Sequence, residues 1–180
     1  MTKLLLMGMV MTASMFGASN VHEFTLNSIE GKPAPLFSLD SSVGKKISLK
    51  ELRGRKIVLY FYPKDNTSGC TKEACNFRDS FADFKKLNAI ILGVSPDSLA
   101  SHDKFIQKFN LPFPLLSDPD HTFAAAYGVW KQKSMYGRKY MGIERTTFLI
   151  DSTGKLAKIF PKVKVENHHQ EVLEALQAMP

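Results

Sequence analysis

Cysteine is scarce in this chain: 180 residues contain only Cys70 and Cys75. Two thiols are too few for the disulfide framework of a small secreted scaffold, and five-residue spacing is not the C-x-x-C pair of a zinc site or a thioredoxin-type dithiol. No apolar run reaches the roughly 20 residues that span a bilayer. Acidic residues are also in short supply, 17 against 24 basic ones, which leaves a net charge of +7. The imbalance is local. Lys131, Lys133, Arg138, Lys139, Arg145, Lys155, Lys158, Lys162 and Lys164 face only Glu144 and Asp151 in that stretch. No nucleic-acid-binding motif accompanies them, so they read as a solvated basic face suited to an acidic protein partner, with no nucleic acid expected. The histidines form no ligand constellation: His22, His102 and His121 stand alone, and His168-His169 reads as exposed polarity at a helix start. No metal and no cofactor are expected.

What is present is ample apolar material. Hydrophobic residues make up 44% of the chain, including 13 Phe, enough for one sizeable core in a single domain. Residues 1–19 stand apart: Lys3 is their only charge, and Leu4 to Ala18 is mostly apolar and small. This pattern fits a secretory signal cleaved before Asn20, with a retained anchor or an unstructured extension as the alternative. Cleavage would make the protein periplasmic or secreted; otherwise it is cytoplasmic, and stable membrane insertion is not expected. Residues 20–36 read as an N-terminal extension and 37–180 as the domain proper. Phe24–Leu36 is echoed by Phe37–Leu49, with six of thirteen aligned positions identical. Each copy reads as a strand, a Gly turn and a second strand, too few for a solenoid.

Ile57 to Tyr62 is a continuous apolar run, which predicts a buried central strand. A helix starting near Gly69 carries Phe77, Phe81, Phe84 and Leu87 on one face. Ala89–Val94 predicts a second buried strand, and Ser95–Ser98 starts a helix that runs to Phe109 and is closed by Asn110-Leu-Pro112. Leu115-Leu116 reads as a short strand, Thr122–Tyr127 as a short helix, Thr146–Asp151 and Leu156–Phe160 as a hairpin, and Glu166–Met179 as an amphipathic helix. Strands alternating with helices predict an α/β fold with a mixed sheet.

Cys70 falls where an apolar strand turns into a helix. Backbone N–H groups without intrahelical partners cluster there, and their partial positive charge favours thiolate over thiol. Cys70 therefore reads as a nucleophile, and Cys75 as the group that captures its product.

Pro63-x-x-x-Thr67-x-x-Cys70, Cys75 five residues on, and Gly142-Ile-Glu-Arg145-Thr-Thr-Phe-Leu-Ile-Asp151 together resemble a peroxiredoxin of the Q type, the bacterioferritin co-migratory protein subfamily. Gly93–Asp97 and Ser117–Asp120 extend the resemblance, which runs from about Lys32 to the C-terminus. It implies a thioredoxin-like fold, a central mixed β-sheet flanked by helices with an N-terminal β-hairpin. The activity it implies is reduction of hydrogen peroxide and organic hydroperoxides, recycled by thioredoxin or a thioredoxin-like reductant. It makes Cys70 the peroxidatic and Cys75 the resolving cysteine. Thr67 would hydrogen-bond the peroxide, Pro63 shield the site, and Arg145 hold thiolate and peroxide; a monomer is expected.

The chemistry needs such groups. A free thiol is only about 3% thiolate at pH 7, so full ionisation gains about thirtyfold at most. Most of a fast reaction must come from aligning the O–O bond and stabilising the departing oxygen. Residues five apart on a helix rise roughly 7.5 Å along its axis, which puts their Cα atoms about 8–9 Å apart, beyond the roughly 7 Å limit of a disulfide. A Cys70–Cys75 bond therefore predicts that the helix start unwinds. Two residues depart from the subfamily pattern: Ser68 replaces a proline and Leu36 an acidic residue. Competing readings are a thioredoxin-like reductase, which lacks its C-x-x-C, a glutathione-peroxidase type, which the residues flanking Cys70 fit poorly, and a redox-switch binding or chaperone protein using the same disulfide.

Overall fold

The computed structural model describes residues 30–180. The signal-like segment 1–19 and residues 20–29 of the extension lie outside the described residues. The centre of the molecule is a five-stranded mixed sheet in the order β5-β4-β3-β8-β9. Strand β3 (Lys56–Phe61) pairs parallel with β4 (Ala89–Ser95) and antiparallel with β8 (Thr146–Ile150). On the outside, β5 (Leu115–Ser117) runs parallel to β4 and β9 (Leu156–Phe160) antiparallel to β8.

The continuous apolar run at β3 has a direct cause. Ile57, Leu59 and Phe61 join one core with Phe37, Phe123, Tyr127 and Phe148. Val58, Tyr60 and Tyr62 join the other, with Phe77, Phe84, Phe105, Val172 and Leu176. Side chains alternate between faces, and a strand buried on both must be apolar at every position. Helices α1 (Ser68–Asp79), α2 (Phe81–Lys86), α3 (Leu99–Phe109) and α5 (His168–Gln177) contribute to the second core, and α4 (Thr122–Ala126) to the first.

Four expectations need correction. The aromatic helix is two helices, broken at Ser80, with Phe77 and Phe84 buried on either side of the break. The two-copy echo also fails in part. Its second copy forms the hairpin β1 (Ser38–Asp40) and β2 (Lys46–Ser48), followed by a 3₁₀ turn over Leu49–Leu52. The described part of its first copy instead lies along β9: Pro33 bridges Lys155, and Leu156 N–H donates to Lys32 O at 2.9 Å. Pro33 and Pro35 lack the N–H groups a second ladder would need. Leu36 is 79% exposed, and nothing in the structure explains its presence there.

The third correction concerns the basic stretch, part of which is an unforeseen hairpin, β6 (Trp130–Met135) with β7 (Arg138–Ile143). Its tip, Tyr136-Gly137, has φ of 50° and 78°. Such a turn favours Asn-Gly, and tyrosine at the first position hid the signal.

The fourth concerns two histidines. His168 is buried: its Nε2 lies 2.8 Å from Thr147 Oγ1, and its ring meets Phe77 and Phe160 edge-on. His102 is also fully buried, among polar partners described below. An imidazole fills the space of an aromatic ring while satisfying polar groups that a phenyl would strand.

Candidate active site

Six residues separate the end of β3 from the start of α1, which places Cys70 in the first turn of the helix at the edge of the second core. Thr67, in extended conformation, is the N-cap residue, and Ser68 is the first residue inside the helix. Proline is favoured at that first position, so the family proline would fit there, and serine does not act as the cap. Thr71 N–H donates to Thr67 O at 2.9 Å and closes the first turn.

Cys70 is 2% exposed, and Cys75 is half-buried further along the same helix; both thiols are free. Arg145 stands just before β8 and sends its guanidinium across to α1. Its Nη2 donates to Cys70 Sγ at 3.2 Å, while Nη1 donates to Glu73 Oε2. Gly69 lies beside this approach: a Cβ there would rest 3.4 Å from Arg145 Nη2, in van der Waals contact with it. Thr67 Oγ1 donates to Lys64 O at 3.0 Å, which leaves its lone pairs free to accept from an incoming O–H. Pro63 and Thr67 are both exposed, on the loop above the helix start.

The structure thus brings Arg145 onto Cys70 and sets Thr67 at the cap. It does not bring Cys75 to Cys70, since both stay on one intact helix. Sequence reasoning missed Glu73, three residues beyond Cys70 and therefore on the same helix face. Glu73 is 2% exposed, and its Oε1 is buried without a hydrogen-bond partner. Burial pushes its carboxyl up to about 7 despite the attraction of Arg145. Burial works to lower the guanidinium of Arg145, but Glu73 and Cys70 outweigh it and keep the cation charged. Also missed were Asp65, Ser101 and His102, which no spacing rule brings together. Among the described residues, no three His, Cys, Asp or Glu side chains gather as metal ligands.

A thiol held at a helix start under a guanidinium is suited to attack on a small electrophile. The model of the AhpC/TSA family matches residues 30–159. The chain belongs to this family. Among its members, peroxiredoxin Bcp of Bacillus subtilis is 53% identical over 149 residues, covering 83% of this chain and 95% of the relative. Peroxiredoxin Q of Xanthomonas campestris superposes with a TM-score of 0.76 at 45% identity, over 79% of this chain and 90% of that one. Peroxidoxin BcpB of Mycobacterium tuberculosis gives 0.75 at 34% identity, over 84% and 98%. An X. campestris bacterioferritin comigratory protein, 44% identical with a TM-score of 0.76 over 79% and 90%, is described for its alkyl peroxide reduction activity. The peroxiredoxin fold and the Q/Bcp resemblance both hold for this AhpC/TSA chain.

Proposed function

We propose that the chain is a thiol peroxidase that reduces hydrogen peroxide and organic hydroperoxides through Cys70, with Cys75 resolving the product. The observation that carries this reading is the 3.2 Å contact from Arg145 Nη2 to Cys70 Sγ at the start of α1. The thiolate attacks the nearer peroxide oxygen, the O–O bond breaks, and its electron pair leaves with the far oxygen, which becomes water or an alcohol on protonation. Cys70 becomes a sulfenic acid. The cation at Arg145 and the N–H groups of the first turn stabilise charge passing from sulfur to the departing oxygen. Thr67 Oγ1 accepts the peroxide O–H and aligns it, and Pro63 limits access by water.

Cys75 then attacks the sulfenic sulfur as thiolate, a disulfide forms and water leaves. The helical spacing of the two residues requires the first turns of α1 to open for this step. Two thiols of a thioredoxin or thioredoxin-like protein return both cysteines to the reduced state. The exposed cations of the β6–β7 hairpin, just upstream of Arg145, favour an acidic partner surface. If residues 1–19 act as an export signal, that reductant is periplasmic or extracellular.

The test is turnover with a dithiol. Cys70→Ser should abolish peroxide consumption. Cys75→Ser should still form the sulfenic acid, trappable by a dimedone-type probe, but no intramolecular disulfide. A wild-type chain that oxidises once and then fails to cycle with excess dithiol would instead be a redox switch.

A further inference from the structure

The loop between β3 and α1, residues 62–67, carries both Pro63 and Thr67. Its central side chain points the opposite way from its neighbours: Asp65 is 4% exposed, whereas Pro63, Lys64, Asn66 and Thr67 are exposed. The Asp65 carboxylate accepts three side-chain hydrogen bonds. Tyr62 Oη donates to Oδ1 at 2.7 Å, Ser101 Oγ donates to Oδ2 at 2.7 Å, and His102 Nδ1 lies 3.0 Å from Oδ2. Asp65 N–H donates to Asp97 Oδ2 at 2.8 Å. Asp97 is itself fastened by Ser95 Oγ at 2.8 Å, and its carbonyl accepts from Ser117 Oγ at 2.7 Å. The second ring nitrogen of His102 faces Leu116 O at 3.2 Å. One carboxylate therefore ties the loop to α3 directly and, through Asp97 and His102, to the ends of β4 and β5.

The next residue changes character. Asn66 adopts φ 58°, and beyond it the chain enters α1 through the exposed Thr67 and Ser68. Opening the first turn of α1 breaks backbone hydrogen bonds such as Thr71 N–H to Thr67 O, at a helix end where Thr67 and Ser68 already face solvent, whereas freeing Asp65 would strand a buried carboxylate and its donors.

We propose that Asp65 is a positioning residue. Its clamp holds residues 62–65 stationary while α1 unwinds and rewinds about Asn66, so that Thr67 returns to the same place above Cys70 in every cycle. This rests on the peroxidase reading given above. Burial acts to raise the Asp65 carboxyl, but hydrogen bonds from His102, Ser101 and Tyr62 hold it below the ordinary carboxylate range, which favours the ionised form the clamp requires.

The wild-type protein provides one test through amide exchange followed by NMR. The Asp65 amide should stay protected in both the dithiol and the disulfide forms, while the Thr71 amide should lose protection in the disulfide form. Exchange at Asp65 as fast as at Thr71 in the disulfide form overturns the clamp. The second test uses Asp65→Asn, which should lower the second-order rate of Cys70 oxidation by peroxide about tenfold, the scale of a lost hydrogen bond to a charged group. The step from sulfenic acid to disulfide should not slow. Ser101→Ala, with one donor removed, should show a smaller loss of the same kind, and it decides the matter if Asp65→Asn does not fold. Variants that melt earlier yet oxidise Cys70 at the wild-type rate overturn the inference. If wild-type Cys70 does not react with peroxide at all, the peroxidase reading fails instead.

Discussion

At the scale of single residues, Arg145 divides its guanidinium between two partners, Cys70 Sγ on one nitrogen and Glu73 on the other. Arg145→Ala removes a donor aimed at the reacting sulfur. It should lower the rate of Cys70 oxidation by about a hundredfold or more, measured by stopped-flow with peroxide in excess. Glu73 gives a stability prediction with a definite sign. Burial places its folded carboxyl at about 7, above the 4.5 of an unstructured glutamate, so the folded state binds the extra proton. Its contribution is complete below about pH 4.5 and is lost as pH rises through about 7, amounting to about 3 kcal/mol. Glu73→Gln should flatten that part of the stability profile, read from urea midpoints across the window. Parallel profiles for variant and wild type would rule this out.

At the scale of elements, α1 has to be two things at once. Its first turn begins at the exposed Ser68 and carries the reactive sulfur, while Phe77 near its end is buried against Tyr60 and Phe84 and meets the His168 ring of α5. Anchoring at one end and a loose start at the other are what local opening needs. Ser68 sits at the first helical position, where a proline would pre-set φ and stiffen the turn. Ser68→Pro should therefore slow conversion of the Cys70 sulfenic acid to disulfide and increase its loss to sulfinic acid at high peroxide, followed by mass spectrometry. An unchanged resolution rate would separate helix stiffness from catalysis. The break at Ser80 escaped the periodic pattern because Phe77, Phe81 and Phe84 keep a helical spacing across it, and Phe77 and Phe84 enter the same core from either side.

At the scale of the whole molecule, the site depends on how side chains share one face of the central sheet. Gly93 on β4 stands between its register partners Tyr60 on β3 and Leu115 on β5, whose side chains close over it: a Cβ there would fall 2.6 Å from Leu115 Cδ2 and 2.7 Å from Tyr60 Oη. Both neighbours are buried, so neither can swing into solvent. Gly93→Ala should cost about 1–3 kcal/mol of stability by overpacking. It should also slow Cys70 oxidation, since Tyr60 and Cys70 share one core. A denaturant titration with a parallel rate measurement checks both.

Apart from the β6–β7 hairpin and the break at Ser80, the sequence alone determined the order of strands and helices, the central place of β3 and the identity of the two thiols. These rest on local signals: apolar runs, helix starts such as Ser98, which accepts from Ser101 N–H, and the left-handed close at Asn110. Strand alternation and capping act over a few residues, so one stretch of chain suffices to read them. Arg145 was legible only because a motif carried it. Glu73 as its partner, the burial of His102 and His168, and the ring of donors around Asp65 were not. Each depends on a side-chain contact between residues far apart in the chain: 72 positions for Arg145 and Glu73, 37 for His102 and Asp65, and 21 for His168 and Thr147. Whether a charged or polar group is exposed and weak, or buried and decisive, depends on what the rest of the chain packs against it, and only the folded molecule determines that.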